Sequence, residues 1–129
     1  MISDSEFRAM SHDLKTPVFV FDQDELLQRI RQIDNILNND LTKKQINMCY
    51  SVKANPFLIP SMLKDCCIDN FEVCSPGELL ICREYKVPPE KIIYSGVHKE
   101  LSDISDAIEY GVSVLTAESL RHYELICEA

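Results

Sequence analysis

Tryptophan is absent from these 129 residues, and only three glycines occur, Gly77, Gly96 and Gly111, each far from the others. A Gly-rich loop that lets backbone N–H groups approach a phosphate is therefore excluded, in both its P-loop and its dinucleotide-binding forms. Basic residues are also scarce. Thirteen Lys and Arg stand against 21 Asp and Glu, for a formal net charge of −8. With no basic cluster to neutralise phosphates, a nucleic-acid partner is not expected. No apolar run approaches the roughly 18 residues that would span a bilayer, so no membrane partner is expected either. The opening MISDSEFRAMSHDLK is polar and acidic, unlike a secretory leader. The six cysteines, at 49, 66, 67, 74, 82 and 127, contain no Cys-x-x-Cys pair and no matching His spacing, so no metal site is expected. Several lie in apolar runs, as free Cys does when it acts as a small hydrophobe. Reduced thiols of a cytoplasmic protein are the expectation. Ser-His-Asp and Cys-His arrangements are likewise missing.

What is present is a rhythm. Strand-like runs at NMCYSVK (47–53), NFEVCS (70–75), KIIYSG (91–96) and VSVLTA (112–117) end at intervals of 21 to 22 residues. Helical patterns separate them: Ile59, Met62 and Leu63; Leu79, Leu80 and Arg83; Leu101, Ile104 and Ile108, stopped by Gly111. A last helix starts near Ser119 with Leu120, Tyr123 and Ile126 on one side. SPGE supplies a start signal for the second of these, with Ser75 as N-cap, Pro76 at the first helical position and Glu78 two residues later. Strand and helix alternating at a short fixed period predict parallel βα units. Without a dinucleotide fingerprint after the first strand, a partial (β/α)8 barrel is favoured over a doubly wound sheet. Four units are present where a barrel needs eight, and the chain stops at Ala129 within an apolar-faced helix, so the front half of a barrel is expected. Ahead of it, residues 1–45 read as a tail, a strand at TPVFVFD (16–22) and a helix. That helix is capped by Asp22 and Glu25, carries Leu26, Leu27, Ile30, Ile33 and Leu37, and ends at NND (38–40). Residues 46–129 hold the barrel units.

Within the first barrel strand, Ile46, Met48, Tyr50 and Val52 form a bulky set suited to the helix layer. Asn47, Cys49, Ser51 and Lys53 form the alternate, interior-facing set. Lys53 is thereby assigned to the interior at the C-terminal strand end, where barrel enzymes keep their active sites. A lysine that closes a strand and snorkels to water is the competing explanation. An inward, desolvated amine would suit Schiff-base chemistry.

YSVKANP, FEVCSPGEL, KIIYSGVHKE and AIEYGVSVLTAES, in that order, resemble the fold-type III pyridoxal-phosphate-dependent decarboxylases, which act on diaminopimelate, ornithine or arginine. The likeness runs from Thr16 to about Ile126, and Ser-Gly-Val-x-Lys at 95–99 resembles the diaminopimelate branch more than the ornithine branch. The resemblance implies that 46–129 is the first half of a pyridoxal-phosphate-binding barrel and that Lys53 carries the cofactor on its amine. The substrate would be a small amino acid that loses CO2, and the complete protein a homodimer. It places an acidic residue, Glu72, near the cofactor lysine, although Glu72 reads equally as a solvated strand-end carboxylate. Glu78 and Ser75 read as helix caps before catalysts, His98 has no assigned role, and His12 and His122 read as surface residues. The resemblance also implies a stacking His, a Gly-rich phosphate loop, a carboxylate for the ring nitrogen and a Cys-bearing C-terminal β-domain, none of which is in these residues; TPVFVFD would join that β-domain. Two alternatives stand beside it: a non-catalytic paralogue that binds a partner, and an alanine-racemase-type barrel. The latter expects Tyr-Gly-His-Gly where KANPFLIP stands.

Overall fold

The computed structural model describes residues 2–38, 46–64 and 67–129. The chain divides into two compact units, Met1–Lys43 and Lys44–Ala129.

The first unit is helical. A helix α1 (Asp4–Ser11) stands where a polar tail was expected. Ser3 caps it, its Oγ accepting the Glu6 N–H while the Glu6 side chain accepts the Ser3 N–H at 2.8 Å. This reciprocal pair satisfies two of the donors that every helix start leaves open. The expected strand at 16–22 is a correction. Residues 16–22 take no strand conformation, and Val18, Phe19, Val20 and Phe21 are all exposed, Phe19 completely. The composition was right for a strand, but a strand forms only against a ladder partner, and two faces of apolar side chains need cover. Helix α2 (Gln23–Leu37) begins as expected, with Asp22 Oδ1 accepting the Glu25 N–H at 3.0 Å, and it buries Ile30. Asn38 closes it; residues 39 and 40 of the expected NND stop lie outside the described residues.

The second unit holds strands β1 (Cys49–Ser51), β2 (Asn70–Val73), β3 (Ile92–Tyr94) and β4 (Val114–Leu115), hydrogen-bonded in sequential order and all parallel. Helices α3 (Ile59–Met62), α4 (Pro76–Glu84), α5 (Leu101–Tyr110) and α6 (Leu120–Glu128) follow the strands in turn. This is the partial (β/α)8 barrel that the 21-to-22-residue rhythm predicts. Ser51, Glu72, Ile93 and Val114 lie side by side across the sheet. Each expected strand overran the real one by two residues at its C-terminal end, and those two residues begin the strand-to-helix loops.

Alternation sorts the side chains into two layers. Val52, Phe71, Val73, Ile92 and Tyr94 are fully buried toward the helices, against Ile59, Leu79, Cys82, Ile104 and Ala107. On the other face, Cys49, Glu72, Ile93 and Val114 keep part or much of their surface open. Helix α4 is tied to α5 through Arg83, whose guanidinium lies 3.0 Å from Asp106 Oδ1 and 4.5 Å from the Tyr110 ring centre. Among the described residues no helix is long and apolar enough to cross a membrane.

Candidate active site

An Asn-Pro pair just downstream of β1 explains why the strand ends at Ser51. Asn55 precedes Pro56, and a residue before proline is pushed into extended backbone; Asn55 has φ −168° and ψ 95°. The three residues between, Val52–Ala54, tighten into a 3-10 turn. Asn55 then seats the next turn, its Oδ1 accepting the Phe57 N–H at 3.2 Å while its carbonyl accepts the Tyr50 hydroxyl at 2.9 Å. Lys53 therefore sits in a turn at the C-terminal end of β1 and not in the strand. The alternation that assigned it inward stops at Ser51, because a 3-10 turn advances each side chain by about 120°. Its end of the sheet is the one expected; a desolvated position is not what it has. Lys53 is exposed, and its amine makes no hydrogen bond with the described residues.

Glu72 lies on the middle of the interior-facing side, directly beside Ser51 in register. Its carboxylate is held from both flanking strands. Ser51 Oγ donates to Oε2 at 2.7 Å and Ser95 Oγ donates to Oε1 at 2.8 Å. With the Ser95 proton spent on Glu72, the Cys74 thiol 3.3 Å away is the donor to Ser95 Oγ. The two serine hydrogen bonds hold the Glu72 carboxyl below the usual carboxylate range, Ser51 contributing most; partial burial opposes this, and the charge of Lys53 adds to it. Glu72 is thus a directed carboxylate, not a freely solvated strand end. The serine partners escaped the sequence reading. A signal for them existed: at a period of 21 to 22 residues, 51 pairs with 72 and 74 with 95.

Glu78 and Ser75 are caps, as expected. Ser75 Oγ accepts the Glu78 N–H at 3.3 Å, and Glu78 Oε2 accepts the Cys74 N–H at 2.9 Å. Gly96, with φ +106°, turns the chain after β3 where only glycine fits, since a Cβ there would stand 2.3 Å from the Cys74 carbonyl oxygen. Its N–H donates to Glu118 Oε1 at 3.1 Å. Lys99 folds back over this turn. It is 4% exposed, donates to the Gly96 carbonyl and lies 5.7 Å from the Tyr94 ring centre. Burial lowers its pKa, with the Glu118 charge opposing. His98 is exposed and pairs with Glu100 at 3.6 Å. His122, read as a surface residue, is instead 7% exposed, and its Nδ1 accepts the Glu118 N–H at 3.3 Å at the start of α6. Among the described residues no group of His, Cys, Asp and Glu is arranged to hold a metal ion. A shallow groove of about 460 Å³ is lined by Phe57, by Leu80 and Ile81 of α4, and by Tyr85 at the end of that helix.

Residues 12–128 match the family model described as "Pyridoxal-dependent decarboxylase, pyridoxal binding domain". A diaminopimelate decarboxylase of Zymomonas mobilis is 30% identical over 115 residues, 88% of this chain and 27% of that protein. An L-glutamyl–acyl-carrier-protein decarboxylase of Niallia circulans is 29% identical over 119 residues, 92% of this chain and 27% of that one. Among solved structures, a lysine/ornithine decarboxylase of Vibrio vulnificus complexed with putrescine superposes with a TM-score of 0.78 at 24% identity, over 97% of this chain and 34% of that one. The diaminopimelate decarboxylase of Helicobacter pylori complexed with L-lysine does so with a TM-score of 0.77 at 24% identity, over 93% and 29%. The chain thus spans about a quarter of the length of the curated relatives it matches.

Proposed function

Since the chain belongs to the family of pyridoxal-binding domains of the pyridoxal-dependent decarboxylases, we propose that it supplies the lysine-bearing part of an amino-acid decarboxylase with a diaminopimelate-like substrate. The observation that carries this reading is Lys53. Its amine is accessible at the C-terminal end of the sheet, two residues beyond Ser51, which hydrogen-bonds the Glu72 carboxylate. Lys99, at the same end, is buried and has its amine spent on the Gly96 carbonyl.

The donor set fits the aldehyde end of pyridoxal phosphate. Lys53 offers a primary amine that, once neutral, adds to an aldehyde carbon. Glu72, whose ionised form two serine hydroxyls favour, offers a fixed negative charge on the neighbouring strand. The three separated glycines offer no cradle for the phosphate end, which would draw on elements outside these four βα units. When bound, the cofactor provides an electron sink for the carbanion left as CO2 departs. Lys53 would hold it in place, and Glu72 would favour a protonated nitrogen at Nζ.

A diaminopimelate-like substrate is supported by the Ser95–Lys99 block and by the Zymomonas mobilis relative. A cytoplasmic homodimer is part of the same proposal. The test is turnover by the protein expressed from its complete reading frame. Lys53→Ala should abolish CO2 release from diaminopimelate, and Lys53→Arg should do no better, because guanidinium is not neutral at working pH. Turnover surviving in either variant would overturn the reading.

A further inference from the structure

We propose that Ser51 and Ser95 are positioning residues that act through Glu72, holding its carboxylate as a fixed anion on β2, hydrogen-bonded to the residue two before Lys53. The inference rests on the reading of Lys53 as the cofactor-bearing lysine. A free glutamate side chain turns about three bonds and keeps no direction on a half-open face. Here each oxygen takes a hydroxyl from a different neighbouring strand, at 2.7 Å from Ser51 on β1 and 2.8 Å from Ser95 just beyond β3. Ser95 is itself anchored. It is 9% exposed, its N–H donates to the Val73 carbonyl at 2.8 Å, and its Oγ receives the Cys74 thiol. The carboxylate is therefore clamped across three adjacent strands, each set in register by the sheet. Hydrogen bonds to an ionised acceptor are the stronger kind, and they stabilise the charged form. Clamped this way, Glu72 serves as a charge and not as a proton donor.

The consequence falls on Lys53. When its amine nitrogen bonds to an aldehyde carbon, the carbonyl oxygen leaves as water with both amine protons. One proton taken up from solvent then makes the linked nitrogen cationic. A fixed anion nearby favours that linked, cationic form, and a carboxylate released to wander favours it less.

Two readouts test this. In the protein from its complete reading frame, labelled with carboxyl-13C glutamate, the Glu72 signal, assigned through Glu72→Gln, should titrate below the usual carboxylate range. In Ser51→Ala/Ser95→Ala its midpoint should move up toward that range, and Ser51→Thr/Ser95→Thr, which keeps both hydroxyls, should restore it. The single alanine variants serve if the double variant fails to fold. In the protein from its complete reading frame, treated with pyridoxal phosphate and borohydride, the share of Lys53 carrying a pyridoxyl group should fall severalfold in Glu72→Gln and in the double alanine variant. The threonine pair should recover it. A Glu72 midpoint that ignores loss of both hydroxyls overturns the inference. So does a double alanine variant whose Lys53 is modified as fully as the wild type. A wild type that takes no pyridoxyl group on Lys53 overturns the proposed function, and the inference with it.

Discussion

Two lysines at the same end of the sheet meet opposite physical conditions. Burial lowers the Lys99 pKa, which by charge alone would favour a neutral nucleophile, yet its amine is held on the Gly96 carbonyl and against the Tyr94 ring. Lys53 has an accessible amine, two residues beyond the serine that anchors the Glu72 carboxylate. Accessibility, not desolvation, separates them in this chain. Glu72 carries a pH signature. Its folded pKa lies below its ordinary value of 4.5, so its contribution to stability is full above that value and is lost as pH falls through the lowered one. Urea midpoints measured from pH 7 downward should show this acid loss in the wild type and a shallower one in Glu72→Gln; equal slopes would contradict the serine clamp. The thiols differ as sharply. Cys82 is fully buried and its pKa is pushed up to about 11, while Cys49 and Cys127 are exposed. With iodoacetamide at pH 8, mass spectrometry should find Cys49 and Cys127 alkylated long before Cys82, a difference that unfolding in urea removes.

At the scale of elements, turns and caps carry the local stability. A Cβ at Gly96 would collide with the Cys74 backbone in a left-handed conformation. Gly96→Ala should therefore cost about 3 kcal/mol or shift the loop between β3 and α5, and thermal unfolding monitored by circular dichroism measures it. Ser75→Ala, which removes the α4 cap, should cost about 1 kcal/mol by the same method. Legibility in the sequence divides along the same line. Strand order and helix starts were readable, because a fixed period and the SPGE cap report on neighbouring residues. The strand ends were not. Thr116 and Ser95 look like strand residues, and only the ladder decides where pairing stops. Lys53 fell on the wrong side of that boundary: one 3-10 turn, set by an Asn-Pro pair two residues later, ends the alternation that would have turned it inward. Helix α1 was missed although Ser3 and Glu6 carry the capping-box spacing, because its polar composition buries nothing. Residues 16–22 failed for the converse reason: their apolar alternation promises a strand, and a strand depends on a partner.

The second of the two units is four βα units of a fold that closes with eight. Among the described residues β1 and β4 each leave one parallel edge unpaired, and the interior-facing side between them is partly open. Such edges are templates for pairing with another chain. The 129-residue chain by itself should therefore self-associate in light scattering at high concentration and release no CO2 from diaminopimelate. A cooperative monomer or measurable turnover would contradict that. The account converges on one amine, and tryptic mapping after borohydride reduction tests it most directly. The protein from its complete reading frame, loaded with pyridoxal phosphate and reduced, is predicted to carry its pyridoxyl group on the peptide containing Lys53. A pyridoxyl group on Lys99 in its place, with Lys53 unmodified, would contradict the account.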